Sequence, residues 1–154
     1  MSNYLVTGAA GFIGSKVAAL LAEGGHSVVG VDSINDAYDV RLKHWRLEQL
    51  KQLPGFTFYQ QDICDFDGLG QIFAKHADIA GVINLAARAG VRSSVEDPWV
   101  YLNTNTQGTL NLLELCQRHD VPKFILASTS SIYGANAPLP TPETADSDHP
   151  LQPY

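Results

Sequence analysis

A chain of 154 residues, 45% of them hydrophobic, is long enough to bury one sizeable core and is composed like an ordinary globular domain. Its formal net charge of -6 argues against a general attraction to nucleic acid or to an anionic membrane surface, because both need clustered Lys and Arg and no such cluster occurs. No apolar run approaches the roughly 18 residues of a membrane span, and the opening MSNYLVTGAAGFIG lacks the basic segment of a secretory leader, so a cytoplasmic protein is expected.

Short apolar runs alternate with longer stretches of helical period, the pattern of βαβ units around a parallel sheet covered on both faces. Residues 4–7 read as the first strand. In the helix after it, Ile13, Val17, Leu20 and Leu21 fall on one face, and Gly24-Gly25 stops it. Residues 27–31 read as the second strand and 37–53 as the second helix, with Tyr38, Leu42 and Trp45 on one side and Pro54-Gly55 at its end. A third strand at 56–61 precedes a short helix at 68–76, and a fourth at 81–85 precedes a long helix at 99–119. In that long helix Thr106, Leu110 and Leu113 share a face, and Gly108 implies close packing. The fifth strand covers 123–128. Beyond Gly134, Pro138, Pro140, Pro142, Pro150 and Pro153 mark loop. The expected fold is α/β, a Rossmann-like doubly wound parallel sheet. Cys64 and Cys116 have no metal-ligand spacing partner and read as small buried hydrophobes. The five histidines share no metal spacing either, so no metal is expected.

Thr7-Gly8-Ala9-Ala10-Gly11-Phe12-Ile13-Gly14 sits where the first strand turns into the first helix. A helix N-terminus there offers unpaired N–H groups and a partial positive charge to a phosphate, and glycines let backbone approach it closely. The spacing is G-x-x-G-x-x-G, not the commoner G-x-G-x-x-G, and a glycine turn alone can be mere punctuation. Asp32 closes the second strand 18 residues after Gly14, where a carboxylate accepts hydrogen bonds from adenosine ribose hydroxyls. Its charge repels a 2′-phosphate, and along the sequence Arg41 is the nearest cation after it, so NAD is expected over NADP. The alternative for Asp32 is a solvated acid at a strand end.

TGAAGFIG at 7–14, Asp62-Ile63 after the third strand, NLAARAGVR at 84–92, NTQGTLNLLEL at 105–115 and STSSIYG at 128–134 together resemble the NAD-dependent epimerase/dehydratase family, the extended short-chain dehydrogenase/reductases. Five motifs in order are far more specific than any one. Within the family the resemblance is to nucleotide-sugar epimerases, and INDAYDVRLK at 34–43 with AARAGVRSS at 86–94 resembles those acting on UDP-glucuronate. The resemblance implies that Gly8, Gly11, Phe12, Ile13 and Gly14 hold the cofactor pyrophosphate and that Asn35 assists Asp32. It implies further that Asp62 and Ile63 border the adenine, and that Leu85, Ala86 and Ala87 pass beneath phosphates and ribose. Asn105 would help shape the active site; the alternative is a helix residue facing solvent.

The implied reaction moves hydride from a sugar carbinol to NAD, giving a 4-keto sugar that receives the hydride back on its other face. The expected conversion is UDP-glucuronate to UDP-galacturonate. The alternatives are UDP-glucose epimerisation, UDP-glucuronate decarboxylation, or a non-catalytic NAD-binding module. The family uses a tyrosine base with a lysine four residues on, and a Ser or Thr hydroxyl that orients the substrate oxygen. Thr129 and Tyr154, 25 residues apart, match the hydroxyl and the tyrosine. The matching lysine would lie beyond residue 154, so residues 1–154 are expected to be a partial NAD-binding domain without the substrate-binding part. A phenol of ordinary pKa about 10 is ionised to about one part in a thousand at pH 7, so the 154 residues alone are expected to turn over poorly. Family dehydratases carry an Asp-Glu pair after the Thr, whereas Ser130 and Ser131 stand here and fit epimerisation without elimination. Those serines, or Arg88 with Arg92, would hold the sugar carboxylate; for the arginines a surface role is the alternative. Tyr133 and Gly134 read as a structural turn. Full-length relatives are expected to form homodimers through the long helix.

Overall fold

Five parallel strands, β1 (Asn3–Thr7), β2 (Ser27–Asp32), β3 (Phe56–Gln60), β4 (Ile79–Asn84) and β5 (Phe124–Leu126), make one sheet in the order β3-β2-β1-β4-β5 in a computed structural model that describes residues 1–154. Each lies within two residues of its predicted start and within three of its predicted end. The middle of the sheet is apolar on both faces: Leu5, Val29, Val31 and Val82 join one core cluster, and Val6 and Val28 join the other. Burial on both sides requires helices above and below. Helices α1 (Phe12–Glu23) and α2 (Val40–Leu50) cover the second cluster, while α3 (Phe66–Lys75) and α6 (Gly108–Arg118) cover the first. The chain moves outward from β1 through β2 to β3, then returns to β4 beside β1, so the strand order reverses between β1 and β4.

Helix α1 does not bury the face read from its larger side chains. Gly14, Ala18 and Ala22 are its buried residues, whereas Ile13 and Leu20 are exposed. Small side chains let the helix lie close against the strands, and the larger ones turn to its flanks, where Val17 and Leu21 still pack at the margin of the core. Helix α2 begins at Val40 rather than 37 because the Asp39 carboxylate caps it, accepting from the Arg41 N–H at 3.0 Å. Its buried residues are Lys43, Leu47 and Leu50, and the Tyr38, Leu42 and Trp45 side faces solvent. The side chains read as sharing a side thus face solvent, and a lysine lies inside.

The predicted long helix at 99–119 is three segments, α5 (Pro98–Tyr101), a π-helical turn at Leu102–Gln107, and α6, and a short helix that was not predicted, α4 (Val91–Glu96), precedes them. Asp97 precedes Pro98, whose ring bars helical geometry at the residue before it. Helix α6 has two apolar sides. The sheet takes Leu112, Leu115 and Cys116, because Gly108 on that side lets the helix approach Ile63, whose Cδ1 would lie 2.5 Å from a side chain at position 108. Leu110 and Leu113 remain exposed. No helix is long and apolar enough to cross a membrane.

Candidate functional site

The glycine turn lies at the carboxyl end of β1, where the strand order reverses. Gly8 adopts φ +64°, and a Cβ there would meet the Leu85 carbonyl oxygen at 2.8 Å and the Ala86 nitrogen at 2.9 Å, so the turn rests directly on the chain leaving β4. Gly14 packs its first helical turn on the Gly8 carbonyl, leaving no room for a side chain. The loop holds itself in place: the Ala9 N–H donates to Val31 O at 3.1 Å and the Gly11 N–H to Gly8 O at 2.8 Å. Helix α1 has no side-chain cap, unlike α2 and α3, which Asp39 and Asp65 cap. Its first-turn donors are therefore left for another acceptor, and an anion is the natural one.

Thr7 joins the two central strands. Its hydroxyl donates to Asn84 Oδ1 at 2.6 Å and accepts from the Leu85 and Ala86 N–H groups, each at 3.1 Å; Asn84 Nδ2 in turn donates to Thr109 Oγ1 at 3.0 Å. All three side chains are short and polar, and Thr7 and Asn84 are buried in an otherwise apolar setting, so each must find its partner inside the protein. Sequence reading passed over them because a single Thr or Asn at a strand end has no periodic signal.

Asp32 is buried and its carboxylate is well supplied: Ile34 N–H donates to Oδ1 at 2.8 Å and Ala10 N–H to Oδ2 at 3.1 Å. A solvated strand-end acid is thereby excluded. The expectation of a site without a nearby cation is also overturned. Lys43 reaches back from α2, its ammonium donating to Asp32 Oδ1 at 3.2 Å and to Asn35 Oδ1 at 3.1 Å. The lysine is 11 residues from Asp32 in sequence, two beyond Arg41, and Arg41 instead pairs with Asp39 in solvent.

One cavity is lined by Gly8, Gly11, Asp32, Asn35, Lys43, Asp62, Ile63 and Leu85 to Ala87. Asp62 is exposed and bends its loop by accepting from the Cys64 N–H at 2.8 Å; Ile63 is buried behind it. Phe12 and Ile13 project outward from α1, 81% and 61% exposed, so only their backbones adjoin the turn. A second cavity shares Leu85 to Ala87 with the first and adds Asn105, Thr129 and Tyr154. The structure thus places Thr129 and Tyr154 at one hollow. The Thr129 hydroxyl accepts from the Ser131 N–H at 3.2 Å, and the Tyr154 ring stands edge-on to Tyr101 at 6.0 Å. Asn105 is half-buried, not a solvent-facing helix residue: it accepts from the Arg88 N–H at 2.8 Å and donates to Arg88 O at 3.1 Å. Ser130 is exposed, Ser131 half-buried, and neither lines these two cavities. The guanidiniums of Arg88 and Arg92 take no part in the chain's three ion pairs.

Burial alone separates the cysteines from the expected reading. Cys116 lies in the core, but Cys64 is only half-buried and donates to Asn103 O at 3.4 Å. Burial, together with a hydrogen bond and the negative charge of Asp62, pushes its thiol up to about 11.

A parallel sheet whose glycine turn, strand-end carboxylate and β4 loop line one crevice at the reversal of strand order defines a Rossmann-type α/β protein. Within that class the chain belongs to the family described as GDP-mannose 4,6 dehydratase, whose model matches residues 5–154. A UDP-glucuronate 4-epimerase of Thermodesulfobacterium geofontis is 55% identical over 154 residues, 100% of this chain and 47% of that protein. Among solved structures, UDP-glucuronic acid 4-epimerase from Bacillus cereus, in complex with UDP-glucuronic acid and NAD, superposes with a TM-score of 0.83 at 37% identity, covering 98% of this chain and 47% of that one. UDP-glucose 4-epimerase from Thermotoga maritima, with UDP-glucose, gives 0.84 at 40% identity, covering 99% and 46%. The chain spans about half the length of the relatives it matches.

Proposed function

We propose that residues 1–154 form the NAD-binding part of a nucleotide-sugar 4-epimerase acting on UDP-glucuronate. The observation that carries this reading is a pair of adjoining cavities that share Leu85 to Ala87, one with the glycine turn and the Asp32–Asn35 side, the other with Thr129 and Tyr154. The fit to a dinucleotide rests on Gly8, whose missing side chain lets the turn lie directly against the chain leaving β4, and on the free donors of the first turn of α1. In this reading Gly8, Gly11 and the Phe12 to Gly14 backbone hold the pyrophosphate, Asp32 and Asn35 the adenosine ribose, and Asp62 and Ile63 the adenine edge. Leu85 to Ala87 support the ligand from below. When bound, NAD accepts a hydride from the sugar carbon and returns it.

Thr129 orients the sugar hydroxyl, and Tyr154 as its phenolate removes the hydroxyl proton, becoming the phenol that later restores it. Asn105 fixes the backbone at residue 88, next to the shared Leu85 to Ala87 segment. Ser130 and Ser131 offer hydroxyls, which cannot supply the acid and base that elimination needs, so epimerisation is favoured over dehydration. The sugar carboxylate would be met by these serines or by Arg88. UDP-glucose as substrate is the second reading, supported by the likeness to the Thermotoga maritima structure. The exposed Leu110 and Leu113 side of α6 suits a homodimer contact.

The test is to express the protein from its complete reading frame, measure NAD binding by calorimetry, and follow UDP-glucuronate and UDP-glucose by proton NMR. Formation of UDP-galacturonate supports the reading; conversion of UDP-glucose alone selects the second; absence of NAD binding removes both.

A further inference from the structure

Tyr101 is the last residue of α5, where the chain passes into the π-helical turn that carries Asn105. It is 4% exposed, so its ring is buried and its hydroxyl must find a partner inside the protein. The hydroxyl donates to Ala89 O at 3.1 Å. Asn105 holds both main-chain groups of Arg88, so the two side chains fix residues 88 and 89 in succession. Gly90 makes room for this: its φ is +119°, and a Cβ there would lie 3.2 Å from the Tyr101 hydroxyl oxygen. The other contact of Tyr101 is with Tyr154, ring to ring, at 6.0 Å between centroids and 81° between planes, the arrangement of an edge-to-face pair. Ala89 lines the cavity that holds the glycine turn, and Tyr154 lines the one that holds Thr129. Tyr101 lines neither, yet it touches one lining residue of each.

We propose that Tyr101 is the positioning residue for Tyr154: its ring backs the Tyr154 ring from outside the hollow, and its hydroxyl anchors Tyr101 itself to the chain beyond β4. The proposal rests on the epimerase reading above. A general base works only within hydrogen-bond reach of the proton it takes, and a displacement of about 1 Å can cost on the order of a hundredfold in rate. A tyrosine ring turns about two side-chain torsions unless something packs against it. The edge-on contact removes part of that freedom, and the bond to Ala89 O keeps Tyr101 from moving along with its neighbour. The base and the loop after Leu85 to Ala87 are thereby held to one post, and a single side chain sets how far apart they stand. Phe at this position keeps the ring, whereas Leu fills part of the space and leaves Tyr154 free to turn.

The experiment uses the protein expressed from its complete reading frame and compares wild type with Tyr101→Phe and Tyr101→Leu. Each is assayed with whichever UDP-sugar wild type epimerises and titrated calorimetrically with NAD. Tyr101→Leu should lower kcat about tenfold, the size of one aromatic edge contact, while KM and NAD affinity stay as in wild type. Tyr101→Phe should lie between the two, because it keeps the ring and loses only the anchor. A raised KM and weakened NAD binding in step with the loss of kcat would mark a general structural loss and overturn the proposal, as would a Tyr101→Phe variant as slow as Tyr101→Leu. A second measurement places 3-fluorotyrosine at position 154 alone and reads its fluorine resonance, which needs neither NAD nor turnover. The resonance should shift in Tyr101→Leu, where the neighbouring ring current is gone, and stay near the wild-type position in Tyr101→Phe. One position for all three would overturn the contact. Should Tyr101→Leu not fold, Tyr101→Met, unbranched and more adaptable, takes its place. Wild type that epimerises neither UDP-sugar sinks the epimerase reading, and this one with it. Wild-type turnover that Tyr101→Leu leaves unchanged sinks only this one.

Discussion

Gly14, Lys43 and Cys64 show three different relations between a residue and its surroundings. Gly14 is legible: a glycine on the helix side of the turn announces close approach, and the Gly8 carbonyl occupies the place of its side chain. Gly14→Ala should therefore lower unfolding free energy by about 1–3 kcal/mol, the usual range for overpacking, measured by urea titration. An unchanged midpoint would mean the turn relaxes freely. Lys43 is not legible, because nothing in RLKHWRL distinguishes a lysine that pairs inward from one in solvent; only β2 and α2 together bring it to Asp32. Cys64 reads as a small buried hydrophobe, whereas it is half-buried and hydrogen-bonded. With its thiol pushed up to about 11, on the order of one molecule in three thousand carries the thiolate at pH 7.5. Its alkylation by iodoacetamide, resolved by peptide mass spectrometry, should keep rising steeply through pH 10. A plateau near pH 8.5 would contradict the environment described.

At the scale of elements, strands were easier to read than helix faces. A buried parallel strand is an apolar run bounded by turns, so its position is written locally. A helix with apolar residues on two sides leaves the choice of face to its neighbours. In α6 the choice is testable: Leu112→Ala should cost about 2–5 kcal/mol as a cavity in the core, whereas Leu110→Ala should stay within about 0.5 kcal/mol. Similar costs at both positions would show that the Leu110 side is packed as well. Helix α3 starts at Phe66, two residues before its predicted start at 68, because Asp65 caps it by accepting from the Gly68 N–H at 3.0 Å. That hydrogen bond holds the Asp65 carboxyl below its ordinary value of 3.8. A depressed value means that the cap stabilises fully above the ordinary value and loses its effect as pH falls through the depressed one. Asp65→Ala should accordingly have a lower urea midpoint than wild type by a constant amount from neutral pH down to pH 5, with the gap closing below pH 3.8. A gap that persists undiminished in strong acid would assign the loss to something other than the carboxylate.

For the molecule as a whole, alternation of strand and helix implied a parallel sheet, yet the order β3-β2-β1-β4-β5 is a global outcome. It follows from the crossing to the far side of β1 after β3, which no local pattern encodes. That crossing creates the crevice, so the crevice's two ends come from segments more than a hundred residues apart, Gly8 and Thr129. The glycine turn and Asp32 could be assigned to it in advance because strand ends of a parallel sheet point the same way. Asn84, Thr7 and the partner of Asp32 could not, since their roles exist only once β1, β4 and α2 lie side by side.

The Thr7 hydroxyl, with its one donor and both lone pairs engaged, bolts the exits of β1 and β4 together before anything enters between them. A visitor to the crevice meets a slot already cut to width and spends little of its affinity on straightening the walls. The empty protein should betray this stiffness: amide protons of Leu85 and Ala86 ought to exchange with deuterium only as slowly as those at the centre of β1. In a Thr7→Val variant, which keeps the shape and discards the bolt, both should be released orders of magnitude sooner.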